Sequence, residues 1–197
     1  VLSEQLRIIG ASGHGQVIAD IVRANCDNLL GFLDDDTSKK TLGIVSDYHE
    51  YKDAEFVIGI GNVEVRRRFS DLPLKWYTAI HPSAIISPSA QIGEGTVVMP
   101  NAVINAESTI GKHCIINSGS IVEHNDAIGD YAHISVGAKL GGTVSIGKSV
   151  WIGIGATVIN NVSICDNCII GAGAVVIENV LDEGTYIGVP AKRKKNT

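Results

Sequence analysis

The chain has 197 residues, enough for one large domain or two small ones. A formal charge of −5 argues against nucleic acid as the main partner, and no apolar run approaches the roughly 20 residues that cross a bilayer. Four cysteines without framework spacing, and an opening stretch without a signal-peptide pattern, read as a reduced cytoplasmic protein.

The first 80 residues alternate strand-like and helix-like patterns. "LRII" (6–9) is a short apolar run, followed by the glycine-rich "GASGHG" and then by "QVIADIVRAN", where Val17, Ile18, Ile21 and Val22 recur at helical spacing. "LLGFL" (29–33) is a second strand ending in Asp34, Asp35 and Asp36. "EFVIGIG" is a third, followed by the helical "NVEVRRRFSDL", and "WYTAI" (76–80) is a fourth. Strands alternating with helices predict a parallel sheet with crossover helices, a small Rossmann-like domain over residues 1–80.

Gly10, Gly13 and Gly15 stand between a strand and a helix. Glycines there let backbone N–H groups and the helix N-terminus approach a phosphate. The spacing is GxxGxG, and the half-size domain lacks the second unit a dinucleotide needs, so a nucleotide-linked ligand is favoured over NAD. Asp34 and Asp35 end the next strand, where an acid commonly hydrogen-bonds a nucleoside. "GIGN", with Gly61 and Asn62, faces the same crevice, and His14 lies within reach of a phosphate or sugar. A tight structural turn is the competing reading of this loop.

From "HPSA" at 81–84 the pattern changes. Stepping by six from Ile86 to Val176 meets Ile, Leu or Val sixteen times without an insertion, and a mostly small residue stands two places before each. No helix has that period. It predicts a parallel β-solenoid over residues 81–197 with three hexapeptides, 18 residues, per coil and about five coils, each set about 4.8 Å from the last. The glycines that follow many of the aliphatic residues are expected to permit the turns. The tail "AKRKKNT" gathers four cations at 192–195.

The phase places the histidines. His124 comes two residues after inward Val122, at a corner, with Ala106 one coil before and Gly142 one coil after. A ligand can reach an imidazole there, and Glu123 precedes it. His133 precedes inward Ile134 and points outward, with Trp151 one coil on. Imidazole suits general-base work near neutral pH. His113 and His81 read as structural. Zinc would need three converging ligands, and no third histidine stands beside His124 and His133, so no metal is expected. Cys165 and Cys168 have CxxC spacing, but Cys168 occupies an inward small position, and the pair reads as packing.

Taken together, "GASGHG", "FLDD", "IGNVEVRRR", "HPSAIISPSA", "MPNAVINA", "VEHNDAIGDYAHISVGAK" and "GVPAKR" resemble the bacterial nucleotide-sugar N-acetyltransferases of the PglD/NeuD type over nearly the whole chain. The resemblance implies a left-handed β-helix, a homotrimer with active sites between subunits, and acetyl-CoA as co-substrate. It implies direct acetyl transfer to the 4-amino group of a UDP-linked 4-amino-4,6-dideoxy sugar. His124 would be the base, with Glu123, Asn125 and Asn117 close to the reacting groups. His133, Ser135 and Gly142 would meet acetyl-CoA near the thioester, and Pro190, Lys192 and Arg193 would flank its nucleotide. Gly10, Ser12, Gly13, His14, Gly15, Asp34, Asp35, Gly61 and Asn62 would hold the nucleotide portion of the sugar. One departure stands out: the family often carries an acid directly after the base, where this chain has Asn125. Acetyl transfer to a sugar hydroxyl, or a non-catalytic trimer that binds nucleotide sugars, are the alternatives.

Overall fold

The structure, a computed structural model, describes residues 5–51 and 53–194. Lys195, one of the expected tail cations, lies outside them. The first half is a four-stranded parallel sheet built from β1 (Leu6–Ile9), β2 (Leu29–Leu33), β3 (Glu55–Ile58) and β4 (Lys75–Trp76), in the order β2-β1-β3-β4. Helices α1 (Gly13–Ala24) and α2 (Val63–Ser70) follow β1 and β3. All four residues of β1 are buried, as a central parallel strand covered on both faces requires. Helix α1 buries Ile18, Ala19, Ile21 and Val22 on one stripe, while Val17, expected on that stripe, is exposed.

The run "WYTAI" is not one strand. Trp76 ends β4, but β5 (Ala79–Ile80) pairs with Val97–Val98 and already belongs to the solenoid. The backbone therefore enters the second architecture just before His81.

The solenoid has three parallel faces, and each strand pairs with the strand 18 residues further on. The first face stacks β5, Val97–Val98, Ile115–Ile116, His133–Ile134, Trp151–Ile152, Ile169–Ile170 and Thr185–Ile187, closed by antiparallel Lys192–Arg193. The second carries Ile121–Val122 and Lys139–Leu140, and the third Thr109–Ile110 and Ala127–Ile128. The first face extends past the sixteen hexapeptides at both ends, making the solenoid longer than five coils. The aliphatic residues of the period form the core, each at most 4% exposed from Val98 to Val176.

The turn chemistry differs from the sequence expectation. Positive φ falls on the residue three places before each aliphatic one, at every such position from Gly95 to Gly173. That set includes Asn101, Asn125, Asn161 and Asn167, the residue type that best tolerates this conformation after glycine. The glycines directly after the aliphatic residues serve close packing instead. A Cβ on Gly93 would lie 2.6 Å from the Gly111 carbonyl carbon of the next coil.

Candidate functional site

The glycine loop is held by its neighbours. Gly10 has φ +105°, and a Cβ there would meet Ile60 at 2.7 Å. A Cβ on Gly15 would collide with the Gly10 carbonyl, so helix and strand approach as only glycine permits. Ser12 is the N-cap position of α1 without a side-chain cap bond, and its Oγ accepts from Lys39 Nζ at 3.0 Å. Gly13 opens α1 with free space beside it.

Asp34 is largely engaged by the fold. Its Oδ2 accepts from Ala11 N (2.7 Å) and Lys39 Nζ (2.9 Å), and its Oδ1 accepts from Asp36 N. Burial pushes its pKa up, but these donors outweigh that and hold it below the usual carboxylate value. Asp35 accepts from Val45 N at 2.9 Å. Both aspartates line a small cavity of about 140 Å³ with Gly10, Ile60, Arg68 and Phe69. Lys39, which sequence reasoning missed, puts a cation at the mouth of the loop.

A larger cavity of about 640 Å³ lies along the seam between the two architectures, lined among others by Gly61, Asn62, Arg66, Tyr131, His133 and Trp151. Asn62 N-caps α2, its Oδ1 accepting from Val65 N. Arg66 is 2% exposed and has no carboxylate partner among the described residues. Its guanidinium donates to the carbonyls of Ile60 (3.2 Å), Gly61 (2.8 Å), His113 (2.9 Å) and Tyr131 (2.7 Å). Removing that charge from water costs several kcal/mol, which the four carbonyls offset. Arg66 thus fastens the loop after β3 to two coils of the solenoid. Its spacing from Asn62 (i+4) and to buried Phe69 (i+3) put it on the inward stripe of α2, a signal the triple-arginine run obscured.

Around Arg66 the histidines stay neutral. Burial first, then the Arg66 charge, lowers His14 to about 4. His133 falls to about 3 through burial, Arg66 and His14, in that order. His14 Nε2 is buried without a hydrogen-bond partner. Asn117 Nδ2 stands 3.1 Å from His133 Nε2 and donates to it, leaving the proton of a neutral ring on Nδ1. His133 stacks on Trp151 with centroids 6.0 Å apart, and Trp151 Nε1 donates to the buried Ser135 Oγ at 2.8 Å. His133 is therefore a fixed N–H donor, unsuited to be a base. His113 forms part of the same seam, edge-on to Trp76 and stacked on Tyr131.

His124 sits elsewhere. It occupies the corner between the second and third faces, the one corner the first face does not touch, and it is exposed. Its Nδ1 donates to Asn125 Oδ1 at 2.9 Å, which leaves the lone pair of a neutral ring on Nε2. Glu123 Oε2 accepts from His124 N at 3.3 Å. A Cβ on Gly142 would lie 2.6 Å from His124 Nε2, so the imidazole rests on the bare backbone of the next coil. The Gly142 N–H donates to no atom among the described residues.

The structure therefore gathers His14, Gly61, Asn62, Asn117, His133 and Ser135 on one side of the prism, and Glu123, His124, Asn125 and Gly142 on the other. The tail forms a third group. Lys192 pairs with Glu178 at 2.7 Å and Arg193 donates to the Glu183 carbonyl, just past Pro190. Among the described residues no three His, Cys, Asp or Glu side chains converge as a metal site requires, and the Cys165 and Cys168 sulfurs lie 3.4 Å apart as free thiols.

Residues 5–71 match the family described as PglD N-terminal domain, and residues 89–124 and 143–178 match the bacterial transferase hexapeptide (six repeats). The chain is 40% identical over 110 residues to UDP-N-acetylbacillosamine N-acetyltransferase of Bacillus subtilis (strain 168), a match spanning 48% of this chain and about half, 51%, of that protein. PerB from Caulobacter crescentus, solved in complex with CoA and GDP-perosamine, superposes with TM-score 0.93 at 34% identity over 99% of both chains. The acetyltransferase domain of PglB from Neisseria gonorrhoeae FA1090, in complex with acetyl coenzyme A, superposes with TM-score 0.92 at 33% identity over 98% of this chain and 100% of that one. The solenoid is the left-handed β-helix of these acetyltransferases.

Proposed function

Because the chain belongs to the family of PglD-type, hexapeptide-repeat nucleotide-sugar N-acetyltransferases, we propose that it transfers acetyl from acetyl-CoA to the amino group of a nucleotide-linked 4-amino-4,6-dideoxy sugar. The observation that carries the mechanism is His124: an accessible imidazole whose Nδ1 proton is fixed by Asn125, leaving Nε2 as acceptor. Nε2 takes a proton from the sugar amine as the nitrogen attacks the thioester carbonyl. The free Gly142 N–H offers a donor to the oxygen that becomes negative, and the proton passes from His124 to the departing thiolate. Two relatives act on, or are bound to, UDP- and GDP-linked amino sugars respectively, and that supports the substrate class. UDP is the nucleotide we propose, with GDP and dTDP sugars as competitors in the assay.

His124 and the loop that would hold the nucleotide lie on opposite sides of one chain, so the site we propose forms between copies, in a homotrimer. Acetyl-CoA would lie along the corner glycines, its nucleotide near Pro190, Lys192 and Arg193. A cytoplasmic protein suits that co-substrate and the free thiols, and no described helix is long and apolar enough to cross a membrane.

CoA release measured against a panel of nucleotide 4-amino sugars, hydroxy sugars and no acceptor tests the reaction, with turnover expected from the 4-amino sugars alone. His124→Ala is expected to lower turnover about a hundredfold or more with sugar affinity little changed. Mixing His124→Ala with His14→Ala subunits tests the shared site: each alone is inactive, and random re-assembly restores about one quarter of parental activity. No restoration means that both histidines serve one subunit.

A further inference from the structure

The inward small positions of the solenoid hold Ala, Thr, Ser, Cys or Val in fifteen hexapeptides and a carboxylic acid in one, Asp126. Asp126 is 1% exposed. Its Oδ1 accepts from Val144 N at 2.7 Å, its main-chain N–H donates to Ser108 Oγ at 3.3 Å, and its Oδ2 has no partner. Ser108 and Val144 are its equivalents one coil before and after, and neither is charged. A buried carboxyl with an orphan oxygen destabilises the fold, and a hydroxyl such as Ser108 or Thr96, each of which accepts from the main-chain N–H one coil on, would avoid that penalty. Destabilising groups of this kind collect where chemistry needs them.

Asp126 shares its corner with His124, two residues away. Burial lifts its pKa to about 7 against the pull of neighbouring main-chain N–H groups, and of the charged groups acting on it Glu123 raises it and His124 lowers it. Asn125 fixes the His124 ring but carries no charge to set against an imidazolium. Glu123 is already bonded to the His124 main chain.

We propose that Asp126 is a positioning residue for acetyl transfer: its carboxylate, enclosed in the corner beside His124, supplies the counter-charge to the imidazolium formed while the proton is in transit. It exchanges no atom itself. The proton moves from the sugar amine to His124 Nε2 and on to the CoA thiolate, and Asp126 acts only through the field inside the solenoid. The inference rests on His124 being the base.

Two variants test it: Asp126→Asn keeps the shape, and Asp126→Ser installs the residue used at Ser108 and Ser120. Both are expected to unfold at or above the parental temperature, yet to lose about tenfold or more in kcat with KM for both substrates within about twofold. A second readout needs no substrate. The Asp126 side-chain carboxyl carbon, followed by NMR, is expected to titrate at higher pH in His124→Ala than in the parent, because the coupling of two sites is reciprocal. Parental kcat in both Asp126 variants, or a carboxyl titration indifferent to His124→Ala, overturns the proposal. If the parent releases no CoA with any amino sugar, the transfer reading falls, and the carboxyl titration still decides the coupling.

Discussion

Gly142 offers a perturbation whose size can be worked out before it is made. In Gly142→Ala the new Cβ would lie 2.6 Å from both Cε1 and Nε2 of His124. Ordinary contact begins near 3.4 Å, so the ring must retreat by about 0.8 Å. Gly142 has no positive φ, so alanine adds no backbone strain, and the atoms it meets are the far end of an exposed side chain. The fold should therefore yield at the ring alone, with a melting temperature within about 2 °C of the parent. A misplacement of about 1 Å at a reacting group costs on the order of a hundredfold. We expect kcat for CoA release to fall by roughly that factor at unchanged KM for the nucleotide sugar. Gly141→Ala is the contrast. Its Cβ would meet the main-chain nitrogen of Asn160 at 2.8 Å, where nothing can swing aside, so it should cost about 1–3 kcal/mol of stability and leave the folded fraction active. Near-parental kcat in Gly142→Ala, or equal losses of stability in the two variants, would refute the placement of His124 as base.

Arg66→Met strips the donor from four carbonyls at the seam, and should cost about 3 kcal/mol or more in urea unfolding while splitting the transition of the two halves. A single transition of parental midpoint would contradict the fastening role. Stability should also fall in acid. His14 and His113 are held near 4 and His133 near 3, all below the 6.5 of an unfolded chain. Between about pH 6.5 and 4 the unfolded state thus binds more protons, and stability present above that window is lost as pH falls through it. Asp126, raised to about 7, works the other way over part of the range by holding a proton that the unfolded carboxyl has released. After allowing for partial exposure, a net loss of about 1–2 kcal/mol per pH unit is expected from denaturation at pH 6.5, 5.5 and 4.5. Flat stability across those points would mean the rings are hydrated.

The period of six was legible because it is chemical: one aliphatic residue must fill the prism at each step, and nothing else satisfies the core. The parallel sheet of the first half was equally plain, from strand and helix periods alone. What escaped the sequence was geometry without a residue-type signature. Left-handed turns are met by Asn, Gly, His, Tyr, Ser, Thr and Glu alike, so the glycines after the aliphatic residues attracted a role that belongs to the position two residues further on. Arg66 stands in a run of three arginines that sequence does not tell apart, because burial of a guanidinium depends on carbonyls supplied by distant coils. Asp126 was visible as an exception to the small-residue rule, but its enclosure and its orphan oxygen were not. The separation of His124 from His133, about half a coil in sequence, became meaningful only when the three faces were assigned.

The closing strand of the first face has a consequence for how the protein behaves in a crowded solution. A parallel solenoid ends in a row of unpaired backbone groups, an open template for a second molecule to extend the same sheet indefinitely. Here Thr185–Ile187 is covered by Lys192–Arg193 running in the opposite sense, with both cations exposed at the rim. An incoming strand would find reversed polarity and the Lys192–Glu178 ion pair and Arg193 where a further coil should begin. The same short segment that we place beside the co-substrate therefore also stops growth along the axis, and it keeps the molecule discrete rather than fibrous.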